Sequence, residues 1–219
     1  MAQTKRAVFR GEIYWGRPVP GFGDPAAGLL VVGLAPAAHG ANRIGRMFTG
    51  DGPRGAGDFL MSALYRVGLA SRRTSESRDD GLELCGVYIT AVVRCAPPGN
   101  RPTREEIGNC LPYMVEELRI LANGRVVLAL GRVAFDGYLR VLQALGAKIP
   151  RPRPRFAHGV VYDVGARLPS LVASYHPSRQ NTQTGRFTPA MLDRVVRHVL
   201  EVGGDVAVRE GASRARSQA

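Results

Sequence analysis

The sequence is short of lysine and of cysteine, and it has no long apolar run. Lys5 and Lys148 are the only lysines among 30 basic residues, so the positive charge is carried by arginine. Three cysteines, an odd number, do not make the paired framework of a secreted disulfide scaffold, and none stands in a Cys-x-x-Cys pair. That spacing alone argues against a complete zinc or iron–sulfur site. No apolar stretch approaches the about 20 residues of a membrane span, and Met1–Glu12 lacks the apolar region of a signal peptide. The expectation is a cytoplasmic protein that does not engage a membrane.

What is present is an ordinary globular balance: 219 residues, 45% hydrophobic and 22% charged. A chain of this length buries a core without covalent staples. Thirty Lys+Arg against 18 Asp+Glu leave a net charge of +12, which favours a polyanionic partner. Arginine's planar fork suits phosphates and base edges, although a GC-rich coding sequence would also write Arg for Lys. The net excess is independent of that choice.

Four short apolar runs read as buried strands: 29–34, 87–93, 125–130 and 170–174. Between them, residues 57–69, 103–121, 131–145 and 187–202 carry helical spacing. Thr103 with Glu106 has the pattern of a capping box. Residues 146–169 are proline-rich and suit a hairpin or an irregular crossing around Gly159. Strands alternating with helices predict an α/β fold with a parallel sheet covered on both faces. Residues 1–28 read as an irregular, truncated N-terminal segment, 29–202 as one domain, and 203–219 as a basic, disordered tail.

Ligands of such sheets bind beyond the carboxyl ends of the strands. Three polar loops leave those ends, at 35–55, 94–102 and 175–186. Gly33-Leu34-Ala35-Pro36-Ala37-Ala38-His39-Gly40 offers small residues that let backbone approach a ligand. It lacks both the phosphate-loop ending and the dinucleotide glycine spacing. Phe48 can stack on a base or anchor its loop in the core. Asp51 can serve as a general base or cap a turn. Asn100 offers a donor and an acceptor from one amide, or simply a turn residue. His176, held extended by Pro177, can enter a site or be structural. Arg179, Gln180 and Asn181 follow in a run suited to phosphate contacts.

The first motif, the Gly45-Arg46-Met47-Phe48-Thr49-Gly50-Asp51 that follows it, and His176-Pro177-Ser178-Arg179-Gln180-Asn181 resemble the family 5, or type b, uracil-DNA glycosylases. The similarity runs from about Tyr14 to about Val202. It implies a three-layer α/β/α sandwich around a four-stranded parallel sheet. It implies base-excision repair of DNA by hydrolysis of the N-glycosidic bond of uracil and other deaminated bases, leaving an abasic site. Single- or double-stranded DNA would be the partner of a monomeric enzyme. Other glycosylases of this kind place a polar group just after the proline of the first motif; here Ala37-Ala38 stand there, as in family 5.

The resemblance therefore assigns water activation to Asp51, base reading to Asn100 and the leaving group to His176. Phe48 would stack on the base, and Ala37, Ala38, His39, Arg179, Gln180 and Asn181 would bind the substrate. The family carries a 4Fe-4S iron–sulfur cluster on four cysteines. Cys95 and Cys110 match two of them, and the N-terminal pair has no counterpart in this chain. A cluster using Cys85 as well would need an unusual geometry. Two readings compete with a glycosylase: a catalytically silent damaged-DNA-binding module on the same fold, and an RNA-binding protein without a base pocket.

Overall fold

A computed structural model describes residues 5–121, 123–165 and 168–204. After a short 3-10 turn at Ala7–Phe9, the order is β1 (Phe22–Gly23), β2 (Leu29–Gly33), α1 (Ala41–Ile44), α2 (Ala56–Arg66), β3 (Val87–Ala91), α3 (Arg104–Ile120), β4 (Val126–Leu130), α4 (Arg132–Ala144), β5 (Val161–Tyr162), β6 (Ser170–Ser174), α5 (Arg179–Gln183) and α6 (Pro189–Gly203). The sheet order is β1-β3-β2-β4-β6-β5. Its centre is the expected parallel set, with Leu29 paired to Val87 on one side and to Val126 on the other, and Leu130 paired to Ser174.

The four-stranded description needs one correction. Two-residue antiparallel strands, β1 against β3 and β5 against β6, cap both edges and make six. They arise in Gly- and Pro-rich stretches and are too short to carry a period-2 pattern. Each covers a row of backbone groups that would otherwise lie open at a sheet edge.

Successive strand residues point to opposite faces, and both faces are apolar. Leu29, Val31, Val126, Leu128 and Val172 pack with Leu60 and Leu64 of α2 and with Leu192, Val196 and Val199 of α6. Leu30, Val32, Val127, Ala129 and Leu171 pack with Met114 of α3 and with Phe135, Tyr138 and Leu142 of α4. The result is the expected α/β/α sandwich.

The helix ends follow their caps. Thr103 Oγ1 accepts the Glu106 N–H while Glu106 accepts the Thr103 N–H, so the capping box forms. Thr188, with Pro189 at the first helical position, starts α6 two residues later than the sequence suggested. Two single-turn helices, α1 and α5, lie inside segments read as loop. Ser178, at the start of α5, caps it through the Asn181 N–H. Within 146–169, a turn around Gly159 leads into β5. Gly203 closes α6, and the rest of the segment read as a disordered tail, 205–219, lies outside the described residues.

Candidate active site

The chain leaves β2 for β3 on one side and leaves β4 for β6 on the other, so the strand order reverses between β2 and β4. In open α/β sheets the crevice at that reversal is the ligand site. A cleft of about 270 Å³ opens there, lined by Leu34 after β2, Leu130 to Val133 at the end of β4, Phe156, and Tyr175, His176, Asn181 and Arg186 after β6.

The first loop is drawn to this edge by its own polar groups. Ala37 C=O accepts the N–H groups of Gly40 and Asn42, and Ala38 C=O accepts the Asn42 side chain. Arg43 Nε donates to His39 C=O at 2.9 Å and its Nη2 to Gly50 C=O at 3.2 Å, which ties the two ends of the loop together. His39 turns its ring away into a bond between Nδ1 and the Tyr14 hydroxyl, 2.9 Å, and against Phe9.

Phe48 has φ +51, a left-handed backbone uncommon for an aromatic residue. Two glycines permit it. A Cβ on Gly57 would lie 2.0 Å from the Phe48 carbonyl oxygen, and one on Gly33 would lie 2.9 Å from the Phe48 ring. The ring therefore lies over the end of β2 and stacks on His176, with centroids 6.0 Å apart and planes at 29°. That is direct ring contact, so a base stacking on Phe48 uses the ring's other surroundings, not the space between the two rings.

Asp51 sits largely buried against Gly40, whose Cβ would meet its carboxylate oxygen. Burial raises its pKa to about 6, and Asp58 adds to the rise; Arg179, the Gly57 N–H and Arg43 pull the other way. A carboxylate tuned near neutrality suits general-base chemistry. Burial lowers His176 to about 4, so its imidazole is neutral at pH 7 and donates one N–H without carrying a charge.

The structure thus links Asp51, Phe48, His176, Arg179 and Asn181, which come from two distant segments; His176 and Asn181 line the cleft, while Phe48, Asp51 and Arg179 stand outside its lining. Arg179 Nη2 donates to the Asp51 carbonyl at 2.8 Å, and Asn181 Nδ2 to the His176 carbonyl at 2.8 Å. Both side chains brace the site while remaining at its rim. Gln180 is exposed on α5. Asn100 stands exposed after β3, in the left-handed conformation (φ +57), outside the residues lining the cleft.

Arg132, Val133 and Phe156 line the cleft from outside the three polar loops, and Arg186 lines it from the end of the third. Arg132 follows Gly131 at a strand end, which was a usable signal. Phe156 lies in a proline-rich stretch with no periodicity. Beside it, His158 stacks flat on Tyr175 at 4.5 Å and accepts the Tyr175 N–H, supporting the turn into His176.

The sequence profile of the Uracil DNA glycosylase superfamily matches residues 20–200. The chain belongs to this superfamily. It is 48% identical to a Type-5 uracil-DNA glycosylase of Mycobacterium tuberculosis, over 93% of this chain and 74% of that protein. It is equally close to the Type-5 uracil-DNA glycosylase of Thermus thermophilus, over 91% and 87% of the two chains. A Type-4 uracil-DNA glycosylase of Pyrobaculum aerophilum is 34% identical over 73% of this chain and 71% of the relative.

The thiols do not make the ligand set of a 4Fe-4S cluster. Cys110 Sγ receives the Arg94 N–H at 3.4 Å, and the Cys95 thiol, pushed up in pKa by burial and then by Cys110, stands beside it. Cys85 lies before β3, at the opposite end of the strand from Cys95, and its N–H bonds to the Leu69 carbonyl. A five-residue strand alone separates them by roughly 16 Å, so Cys85 cannot join the pair. Among the described residues no group of three or more His, Cys, Asp or Glu side chains could hold a metal. Two adjacent thiols do not fit a four-thiolate cluster.

Proposed function

We propose that the chain hydrolyses the N-glycosidic bond of uracil in DNA and releases the base, leaving an abasic site. The observation that carries this reading is Asp51, a largely buried carboxylate with a pKa raised to about 6, three residues from the Phe48 that stacks on His176 and tied through its carbonyl to Arg179. The Type-5 relatives at 48% identity supply the reaction class by their names.

The chemistry needs two opposite charges stabilised. Breaking the bond leaves positive character on the sugar and negative character on the base. A base stacked in duplex DNA is out of reach and must be flipped out first. Asp51, ionised above about pH 6, stabilises the sugar cation and accepts a proton from the attacking water. Neutral His176 donates its N–H to the developing oxyanion of the base, and the proton stays on the imidazole. Base reading by Asn100 rests on the family resemblance alone, since the residue stands exposed outside the cleft. Phe48 stacks on the base, and Arg132, Arg179 and Arg186 at the rim take phosphates without reading sequence. Ala37 and Ala38 bring no polar group to the first motif, which suits a site that also accepts other deaminated bases.

The test is base release from a uracil-containing oligonucleotide against its thymine counterpart. Release from the uracil strand is expected, and His176→Ala should be about 100-fold slower, the usual loss of one such donor. Binding of the uracil strand without release would establish the silent binding module instead.

A further inference from the structure

We propose that the 75–80 turn is an external clamp that positions Asp51, with Ser75 as its pin and the Arg46–Asp80 pair as its bolt. This rests on the catalytic reading of Asp51 given above. The turn belongs to a polar, charged stretch that carries no motif and lies on no strand end.

Asp51 is flanked by Gly50 (φ +74) and Gly52 (φ +75), so its own backbone offers little stiffness. Something outside the segment must hold it. Ser75, 3% exposed, uses every polar group it has for that purpose. Its carbonyl accepts the Gly50 N–H at 2.9 Å, one residue from Asp51. Its hydroxyl meets Thr49 Oγ1 at 2.6 Å, and its N–H donates to Asp58 Oδ1 at 3.3 Å.

The proton directions are fixed by the partners. Thr49 donates to the Met47 carbonyl, so Ser75 donates to Thr49 and accepts from Arg46 Nη2 at 3.0 Å. Arg46, 7% exposed, also donates Nε to Thr49 at 3.0 Å, Nη1 to the Arg78 carbonyl and Nη2 to Asp80 at 2.6 Å. Asp80 in turn accepts the N–H groups of Glu76, Ser77 and Leu82, which closes the turn. Burial opposes the ionisation of Asp80, but the Arg46 bond and these N–H groups outweigh it and hold its carboxyl well below the usual range. The pair therefore stays charged throughout the working range.

Ser75 is thus bonded to the two residues before Asp51 and to the Asp58 carboxylate on α2. It holds the backbone that precedes Asp51 and holds Asp58, one of the charges that face Asp51. The others are Arg43 from α1 and Arg179 from α5. Loosening the clamp would let water reach the Asp51 carboxylate and move its titration toward the ordinary carboxylate value.

The experiment compares wild type with Ser75→Ala and Asp80→Asn. Single-turnover base release should fall about tenfold with DNA affinity within about twofold, as expected of a misplaced reacting group. The acid limb of the rate–pH profile should move to lower pH. Leu142→Ala, on the buried face of α4 across the sheet from α2, loses stability without moving that limb and separates positioning from general destabilisation. Carbon NMR of the Asp51 carboxyl reads the same titration without any reliance on activity: a lower midpoint in Ser75→Ala is expected. If Asp80→Asn does not fold, Ser75→Ala, which removes the hydroxyl that joins Thr49 to Arg46 and so frees the turn from Arg46 while keeping its main-chain bonds, carries the test. An unchanged Asp51 midpoint, or a slower rate with an unshifted acid limb, overturns the clamp. A wild-type protein that releases no base while its Asp51 midpoint still shifts in the variant would instead overturn the functional reading alone.

Discussion

Asp51→Asn should make this protein more stable while removing its activity. Burial raises the Asp51 pKa from an ordinary 3.8 to about 6, so folding favours the protonated form. At about 1.4 kcal/mol per unit, the ionised carboxylate destabilises the fold by about 3 kcal/mol above pH 6. The sign follows from proton uptake. Between pH 4 and 6 the folded state binds the proton more tightly, so stability is present below about pH 4 and lost as pH rises through about 6. An asparagine of the same shape keeps the Gly57 N–H contact and carries no charge. For a chain of this size 1 kcal/mol shifts the melting temperature by about 2–4 °C, so Asp51→Asn should melt roughly 6–12 °C higher at pH 8. The difference should shrink to nothing near pH 4. Base release should drop by about 10²–10⁴-fold, the contribution of a positioned base. Thermal melts of both proteins across pH 4–8, beside single-turnover kinetics, check both halves. Equal melting temperatures at pH 8 would refute the claim that the site stores an uncompensated buried charge, and intact kinetics would refute the base assignment.

Gly57→Ala should lose about 1–3 kcal/mol and most activity together, because the new methyl would lie 2.0 Å from the Phe48 carbonyl; urea melts and kinetics read the two effects. Glu117→Leu should lose about 3–5 kcal/mol in a urea melt, since Arg94, 3% exposed, pairs with Glu117 and would be left as an uncompensated buried charge. Binding to undamaged duplex should weaken steeply between about 50 and 200 mM salt, as phosphate-dominated binding by a chain of net charge +12 requires; a salt-independent affinity would show that the arginines do not carry it.

The four parallel strands and the layers of helix on each face were legible because burial imposes periodicity on the residues that form them. Leu29 to Val32 and Val126 to Ala129 are apolar at every position because both faces are covered, and that pattern is visible in one dimension. The capping box at Thr103 was legible for the same local reason. The motifs around Gly33 and His176 carry the family resemblance, and the superfamily profile over residues 20–200 agrees with it. The edge strands were not legible, because two residues carry no period and their pairing depends on partners more than sixty residues away at Ile89 and about ten residues away at Val172. Nor could any linear pattern show that Arg179 and Asn181 would spend their side chains on the backbone of Asp51 and His176, or that Asn100 would stand apart from the cleft. Composition and local spacing determined that this chain folds as a covered parallel sheet with a chemically equipped edge. The pKa of Asp51, the neutrality of His176, the Phe48 stack and the Ser75 anchor were decided by tertiary structure alone, because each depends on which distant groups exclude water from, or reach, a single atom.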